Sequence, residues 1–320
     1  MPTQTNPNRA FALCGTSLGR LSNLHENSVE QFDTQTIWNA LHPRTDVSMG
    51  IFYHDVWEDG KCYTQYTFPH MNKVHPQFLK IVQIADDRDG FWVRAHSGTL
   101  PAFSYIEPKW GYGEWPYIQQ GNDYHPPTNV LPGEKLLCNI YDALRKGDQG
   151  RLWPKTLLIV TFDEHGGTYD HHSPPWGATN PGDEKSKNER AFTLFGVRVP
   201  TLLISPYVPE GTVFRSPTGV PYDHTSILAT LLKWKGIDPA EAGLWKRVAN
   251  APTFEGVLSA SIVNPGIDLN CPSDFEPPGE AERTLEGIPV ADKRRIMLNA
   301  RTIDDIKAMA EDWRAQRKAY

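Results

Sequence analysis

The sequence offers no apolar run long enough for a membrane-spanning helix. It has no internal repeat and no low-complexity tract, which argues against a solenoid or fibrous chain. A basic stripe is missing too: charges of both signs are mixed, with a net charge of −6, and that speaks against a nucleic-acid binder. Cysteine is scarce. Cys14, Cys62, Cys138 and Cys271 stand far apart with no Cys-x-x-Cys pair, so they read as buried small hydrophobes, and an even count alone does not establish disulfides. The stretch from Met1 to Arg9 has no apolar core and is no signal peptide. That leaves the compartment open: cytoplasmic as written, secreted if a segment precedes Met1.

What is there is a chain of 320 residues, enough for one large core or two small ones. Its 27 prolines and 10 tryptophans suit long, ordered, aromatic-rich loops better than a helical bundle. The stretch from Thr156 to His171 organises the rest. Leu157 to Val160 has the length and composition of a buried parallel strand, and it ends in Asp163, Glu164, His165, two glycines and the Asp170-His171 pair. Ligands of open α/β sheets bind at the carboxyl ends of strands. Adjacent acids beside imidazoles and flexible backbone suit a metal or acid–base chemistry. The plainer alternative is a capped turn, with Asp163 and Glu164 holding backbone N–H groups.

Taken in order, Ala10 to Cys14 reads as a strand broken by Gly15-Thr16-Ser17-Leu18-Gly19, either a nucleophile turn or an ordinary one. Gln35–Leu41 is a short amphipathic helix. Ser48–Val56 has strand character and delivers His54 and Asp55 at its end. Leu100–Glu107 reads as a further strand opening into an aromatic loop with Trp110, Trp115 and Tyr117, either a substrate or lipid rim or a packed loop core. Asp123 and His125 follow in a Pro-bounded turn. Pro132–Arg145 is a helix with Leu136, Leu137, Ile140, Tyr141 and Leu144 on one face. Residues 173–195 form a polar, mobile-looking loop, Gly196–Pro206 contains another strand, and Asp223 to Gly236 reads as a capped helix. Residues 250–300 look irregular, and Thr302–Lys318 is a terminal amphipathic helix with Ile303, Ile306, Met309 and Trp313 inward. The order of strands and helices favours a parallel sheet with crossover helices.

Several of these stretches together resemble the phosphoesterases that include non-specific phospholipase C and an acid phosphatase branch. Asp163 to His171 is similar to that family's Asp-Glu-x-x-Gly-x-x-Asp-His signature, and Gly196 to Pro200 with Ser205-Pro206 to its Gly-x-Arg-Val-Pro motif. Pro7-Asn8-Arg9 with Gly15-Thr16-Ser17 resembles the Pro-Asn-Arg and nucleophile segment; Asn122 to Pro126 and Asp223 to Ser226 match as well. The resemblance runs in order from about Pro7 to about Gly236. It implies an alkaline-phosphatase-like α/β/α sandwich with a mostly parallel central sheet, N-terminally shortened, over residues 1–240, with residues 241–320 as an extension.

The resemblance also implies roles. Thr16 falls on the nucleophile, and Asp163 with Glu164 on ligands of a divalent ion, whether Ca²⁺, Mg²⁺ or Zn²⁺. His125 contacts the phosphoryl group, with His54 and His171 as further acid–base groups, and Asp123, Asp170, Trp110 and Trp115 line the substrate. The implied reaction is hydrolysis of a phosphate ester or phospholipid through a phosphothreonine, with peripheral membrane contact at most. The alternative is an inactive member that only binds. One departure counts against activity: the family's Glu-Asn-Arg-Ser-Phe-Asp strand has no room before Pro7, and Glu26-Asn27-Ser28 falls on a connecting loop. A metal-free triad of Ser17, His224 and Asp223 is a third option, weaker because the Asp-His pair starts a helix. The oligomeric state is left open.

Overall fold

The first segment folds as a helix, not as the strand expected from Ala10 to Cys14. In the computed structural model α1 spans Thr5–Cys14. Pro7 lies in its first turn, where a missing N–H costs nothing. Ala10, Leu13 and Cys14, spaced i, i+3, i+4, form its buried face. Gly15 ends it in the left-handed conformation at φ 79° and donates its N–H to Phe11 O. The five-residue apolar run is thus one helical stripe plus Phe11, which packs separately with Met1 and Phe192. The structure describes residues 1–23, 31–42, 44, 46–111, 120–188, 190–272, 288, 292, 296 and 303–318.

The chain divides into two compact units, one of residues 1–108 and 140–269, the other of 109–139 and 270–320. In the first unit α2 (Ile37–Leu41) leads to β1 (Met49–Tyr53); α3 (Tyr63–Thr67), β2 (Leu79–Gln83), α4 (Phe91–Ser97) and β3 (Phe103–Glu107) follow. The three strands make a parallel sheet in the order β2-β1-β3, with Tyr53 opposite both Gln83 and Glu107 at the carboxyl edge. Each crossover carries one of the helices, as parallel pairing requires. The central strand is the most apolar and the most buried. Its Met49 and Ile51 share a core with α1, α2 and the helix α6 (His224–Trp234). The mixed α/β fold with a parallel sheet is as the sequence leads one to expect.

The helix α5 spans Leu131–Lys146, as its periodicity indicates. After it, β4 (Leu158–Thr161) departs from expectation: it is half-buried and pairs antiparallel with β5 (Thr201–Ile204) in a two-stranded sheet. The reason lies between them. Among the described residues of the connection there is only a short 3₁₀ turn, Arg190–Thr193, and no helix to carry a parallel crossover. Thr161 therefore faces Thr201 at one end of the pair, and Leu158 faces Ile204 at the other. Leu203 packs with Val208 and Phe254 on one side of β5. A short helix, α7 (Lys246–Ala249), returns the chain to α6, with Val248 in the main core.

In the second unit Cys138 and Cys271 form a disulfide, whereas Cys14 and Cys62 are the buried free thiols that the spacing suggested. The last helix, α8 (Ile303–Lys318), buries Ile306 and Ala310 with Met309 and Trp313 against Ile288 and Ile296. No helix among the described residues is long and apolar enough to cross a membrane.

Candidate functional site

The carboxyl end of β4 is built as a chain of short reaches. His224, the first residue of α6, donates from Nε2 to Phe162 O at 2.8 Å. Asp163 follows. Its Oδ1 accepts Glu164 N at 3.0 Å, and Glu164 Oε2 accepts Gly166 N at 2.8 Å with His165 Nδ1 at 3.4 Å. Gly166 and Gly167 both take positive φ, 66° and 73°, a turn that two successive side chains would resist. Both acids therefore hold a turn, as the plainer reading has it, though not a helix.

Across from this turn, α1 delivers a cation. Arg9 Nε donates to Asp163 Oδ2 at 2.8 Å, with 15% and 23% of the two side chains exposed. The guanidinium lies 5.2 Å from the centroid of the Tyr63 ring, and the Tyr63 hydroxyl donates to Asn6 Oδ1, one turn before Arg9. Burial works against the Asp163 charge, but the Arg9 guanidinium and the Glu164 N–H outweigh it and hold the carboxyl below its ordinary range. His224, buried beside it, has its proton affinity pushed down chiefly by burial. Glu107, fully buried at the end of β3, accepts Tyr63 N at 3.1 Å and Thr64 N at 2.8 Å, and so anchors the first turn of α3 under the same corner. Burial, then Glu107, pushes the nearby Cys62 thiol up, which leaves it inert.

Thr16 stands elsewhere. It follows the end of α1, roughly 10 Å beyond Arg9 at 1.5 Å per residue, and the two are not brought together. Its side chain is fully buried; Oγ1 donates to Asp183 Oδ2 at 2.6 Å and accepts Leu18 N at 3.0 Å. Asp183 Oδ1 in turn accepts Lys185 N and Ser186 N, and Ser186 Oγ accepts Gly19 N. This part of the 173–195 loop is thus packed against residues 16–19, with Asp183 only 2% exposed. Ser17 donates to Arg20 O. Asp223 caps α6 through Thr225 N and Ser226, and His224 serves Phe162, so the Ser17–His224–Asp223 triad does not form.

The remaining residues scatter. His54 Nδ1 donates to Glu107 O at 3.1 Å, close under the same corner. Asp170 is gripped by Arg198 at 2.9 and 2.7 Å, which keeps its carboxyl well below the ordinary range, and His171 beside it is exposed. A cavity of about 410 Å³ is lined by His165, Tyr169, Asp170, Arg198 and Val199. A larger one, about 920 Å³ with Phe214, Tyr222 and Val257, lies beyond the other end of β5, away from these groups. In the second unit Asp123 holds Gly111 N at 2.9 Å and His125 N at 3.3 Å, His125 is exposed and bonded to Pro126 O, and Trp110 is half-buried. Trp115, Tyr117 and Glu26-Asn27-Ser28 lie outside the described residues.

Among the described residues no three His, Cys, Asp or Glu side chains converge as ligands. Asp163 and Glu164 are the right hard donors for a divalent ion, but Asp163 is already neutralised by a guanidinium and both acids hold backbone N–H groups. The residues in place do not fit a resident ion, so no chemical step is routed through one. Sequence reasoning missed Arg9, Tyr63, Glu107 and Asp183 as members of these networks. Arg9 was in plain view, two residues into a recognised motif and one helical turn from Asn6.

The Phosphoesterase family model matches residues 1–237. Non-specific phospholipase C6 of Arabidopsis thaliana is 33% identical over 282 residues, covering 85% of this chain and 49% of that protein. Non-specific phospholipase C1 of the same plant is 33% identical over 262 residues, 80% of this chain and 46% of the relative. Hemolytic phospholipase C of Pseudomonas aeruginosa is 26% identical over 208 residues, 62% and 24%. The chain spans about half the length of the plant relatives it matches. With three quarters of its residues under that one model, in the order of the motifs around Arg9, Asp163 and Arg198, the chain belongs to the Phosphoesterase family.

Proposed function

We propose that the chain serves the hydrolysis of phosphate esters, with phospholipid diesters of the phospholipase C type as the substrate class and phosphomonoesters second. The reading is carried by family membership with relatives named phospholipases C, and it is supported by the acidic turn that follows β4, where Asp163 and Glu164 stand side by side. Thr16 is the nucleophile in this reading. Its Oγ1 forms the bond to phosphorus as the bond to the leaving alkoxide breaks; its proton passes to Asp183 Oδ2, the group it already donates to, and the alkoxide takes a proton from His125, His54 or His171 and leaves as the alcohol. Water then hydrolyses the phosphothreonine. The Asp183–Ser186 turn covers the hydroxyl, so turnover requires that turn to move off residues 16–19. A divalent ion held by Asp163 and Glu164 once Arg9 has left Asp163, the membrane-facing role of the Trp110 loop, and the contacts of His54, His125, His171, Asp123 and Asp170 with substrate belong to the same proposal.

A second reading has its own observation. Thr16 is fully buried and bonded both as donor and as acceptor, which favours a member of the family that does not turn over. Parallel assays with p-nitrophenyl phosphorylcholine and p-nitrophenyl phosphate decide between them. Thr16→Ala is expected to abolish hydrolysis of whichever ester is cleaved, with the circular dichroism spectrum unchanged. Retention of near-wild-type rates would remove Thr16 from the mechanism; absence of any turnover in the wild-type chain would favour the second reading.

A further inference from the structure

The corner at Asp163 contains a feature that the phosphoesterase reading does not require: a positive charge supplied by the chain itself. Arg9 Nε is 2.8 Å from Asp163 Oδ2, and its guanidinium is stacked beside the Tyr63 ring, which is itself fixed by Asn6. A Ca²⁺ bound to the same oxygen sits 2.3–2.6 Å away. Two cations sharing one carboxylate oxygen are then within roughly 4–5 Å of each other, close enough to repel strongly in a half-buried site. No third carboxylate among the described residues joins the corner to offset that repulsion.

We propose that Arg9 is an internal cation that closes the Asp163–Glu164 corner, so that a divalent ion and the Arg9–Asp163 pair exclude each other. The ion enters only when Arg9 leaves Asp163, and the affinity of the corner is set by how rarely that happens. The proposal rests on Asp163 being the metal-facing carboxylate of the preceding reading, and adds the residue that governs access to it. Tyr63 and Glu107 contribute by fixing the wall on which the guanidinium rests.

Isothermal titration of the full 320-residue chain with MnCl₂ and with CaCl₂ tests this, because it reads binding and not turnover. The wild type is expected to bind either ion at least about tenfold more weakly than Arg9→Gln, the factor by which an open state populated one time in ten reduces affinity. Arg9→Lys, which keeps a cation on the same stem, should stay weak, and Arg9→Gln with Asp163→Asn should lose the gain. If Arg9→Gln alone is unstable, its thermal midpoint read with and without MnCl₂ serves instead: a rise with Mn²⁺ that the wild type does not show supports exclusion. Equal affinity in wild type and Arg9→Gln, or no change in midpoint for either, overturns it. Tight wild-type binding lost in Asp163→Asn overturns exclusion while leaving the metal reading standing. No binding by any variant removes both.

Discussion

Two aspartate–arginine pairs in this molecule share the same first contact and differ in how the rest of each group is held. Arg9 meets Asp163, and Arg247 meets Asp223, each through Nε to Oδ2 at 2.8 Å. Each guanidinium also lies against aromatic rings: Tyr63 for Arg9, Phe11 and Phe195 for Arg247. Arg247 is only 3% exposed, however, and Asp223 uses Oδ1 to cap α6 through Thr225 N. Arg247 donates in addition to Phe192 O. Asp163 holds only the residue after it, at the mouth of a glycine turn. The same ion pair is a rivet in one place, joining the start of α6 to α7. In the other it is a clasp between a helix and a turn, which is why the second and not the first is a candidate for exchange with a ligand.

The largest effect should come from breaking the rivet. Arg247→Met leaves the mostly covered Asp223 with its cap donors but no cation, and loss of one partner of a buried pair costs about 3–5 kcal/mol. Urea unfolding followed by tryptophan fluorescence measures it; a loss under about 1 kcal/mol would mean that the Asp223 cap holds without its cation. Asp163→Asn should cost less, about 1–3 kcal/mol, because roughly a fifth of each side chain at the clasp reaches water. If the two losses came out equal, the distinction between rivet and clasp would fail.

These two pairs also show what could be read in advance. The parallel sheet rests on the order of strands and helices, and the helices over 131–146 and 224–234 with the Asp223 cap rest on local pattern: a 3.6-residue period and an acid before an apolar run. Such signals survive in a single sequence. The failures have physical causes. Ala10 to Cys14 is too short for its period to show, and Pro7 and Gly15 were the better guides. Whether Leu158 to Thr161 pairs parallel or antiparallel depends on what fills the 39 residues between Thr161 and Thr201, a non-local matter. Within the site, Asp163 and Glu164 were legible as an acidic turn, but their partner Arg9 lies 154 residues away. No spacing rule links a carboxylate to a guanidinium at that separation, nor Thr16 to Asp183 at 167.

The pH dependence of stability offers a finer test of the comparison. Asp163 and Asp223 both have folded-state pKa values below the ordinary one, so their contribution is present above about pH 4 and is lost as pH falls through the folded values. His224, lowered by burial, acts in a higher window. The unfolded chain takes up its proton near pH 6.5 while the folded chain does not, so stability declines as pH drops below that point. His224→Gln can still donate to Phe162 O and should flatten the decline between about pH 6.5 and 5 while leaving the steeper loss below pH 4. Denaturation midpoints across that range read both parts. An unchanged slope in His224→Gln would assign the decline to other groups.

The smallest effect is expected at a third pair, and it marks the limit of reading strength from geometry. Arg198 grips Asp170 with two hydrogen bonds, at 2.9 and 2.7 Å, a better contact on distances alone than either buried pair. The Arg198 side chain is 59% exposed although Asp170 is not, and solvent around the guanidinium screens what the fork gains. Asp170→Asn should therefore leave the urea midpoint where it is, although Arg198 holds the carboxyl well below its ordinary range. Its effect should instead appear with salt: the apparent proton affinity of Asp170, followed by NMR, should move toward the ordinary carboxylate value as ionic strength rises, because exposed charges are screened within about 10 Å at 0.1 M. Asp223, at the rivet, should hardly respond to the same salt. Should Asp170 resist salt as Asp223 does, the Arg198 fork would have to be shielded at the mouth of its 410 Å³ cavity, and the order rivet, clasp, fork would need to be redrawn.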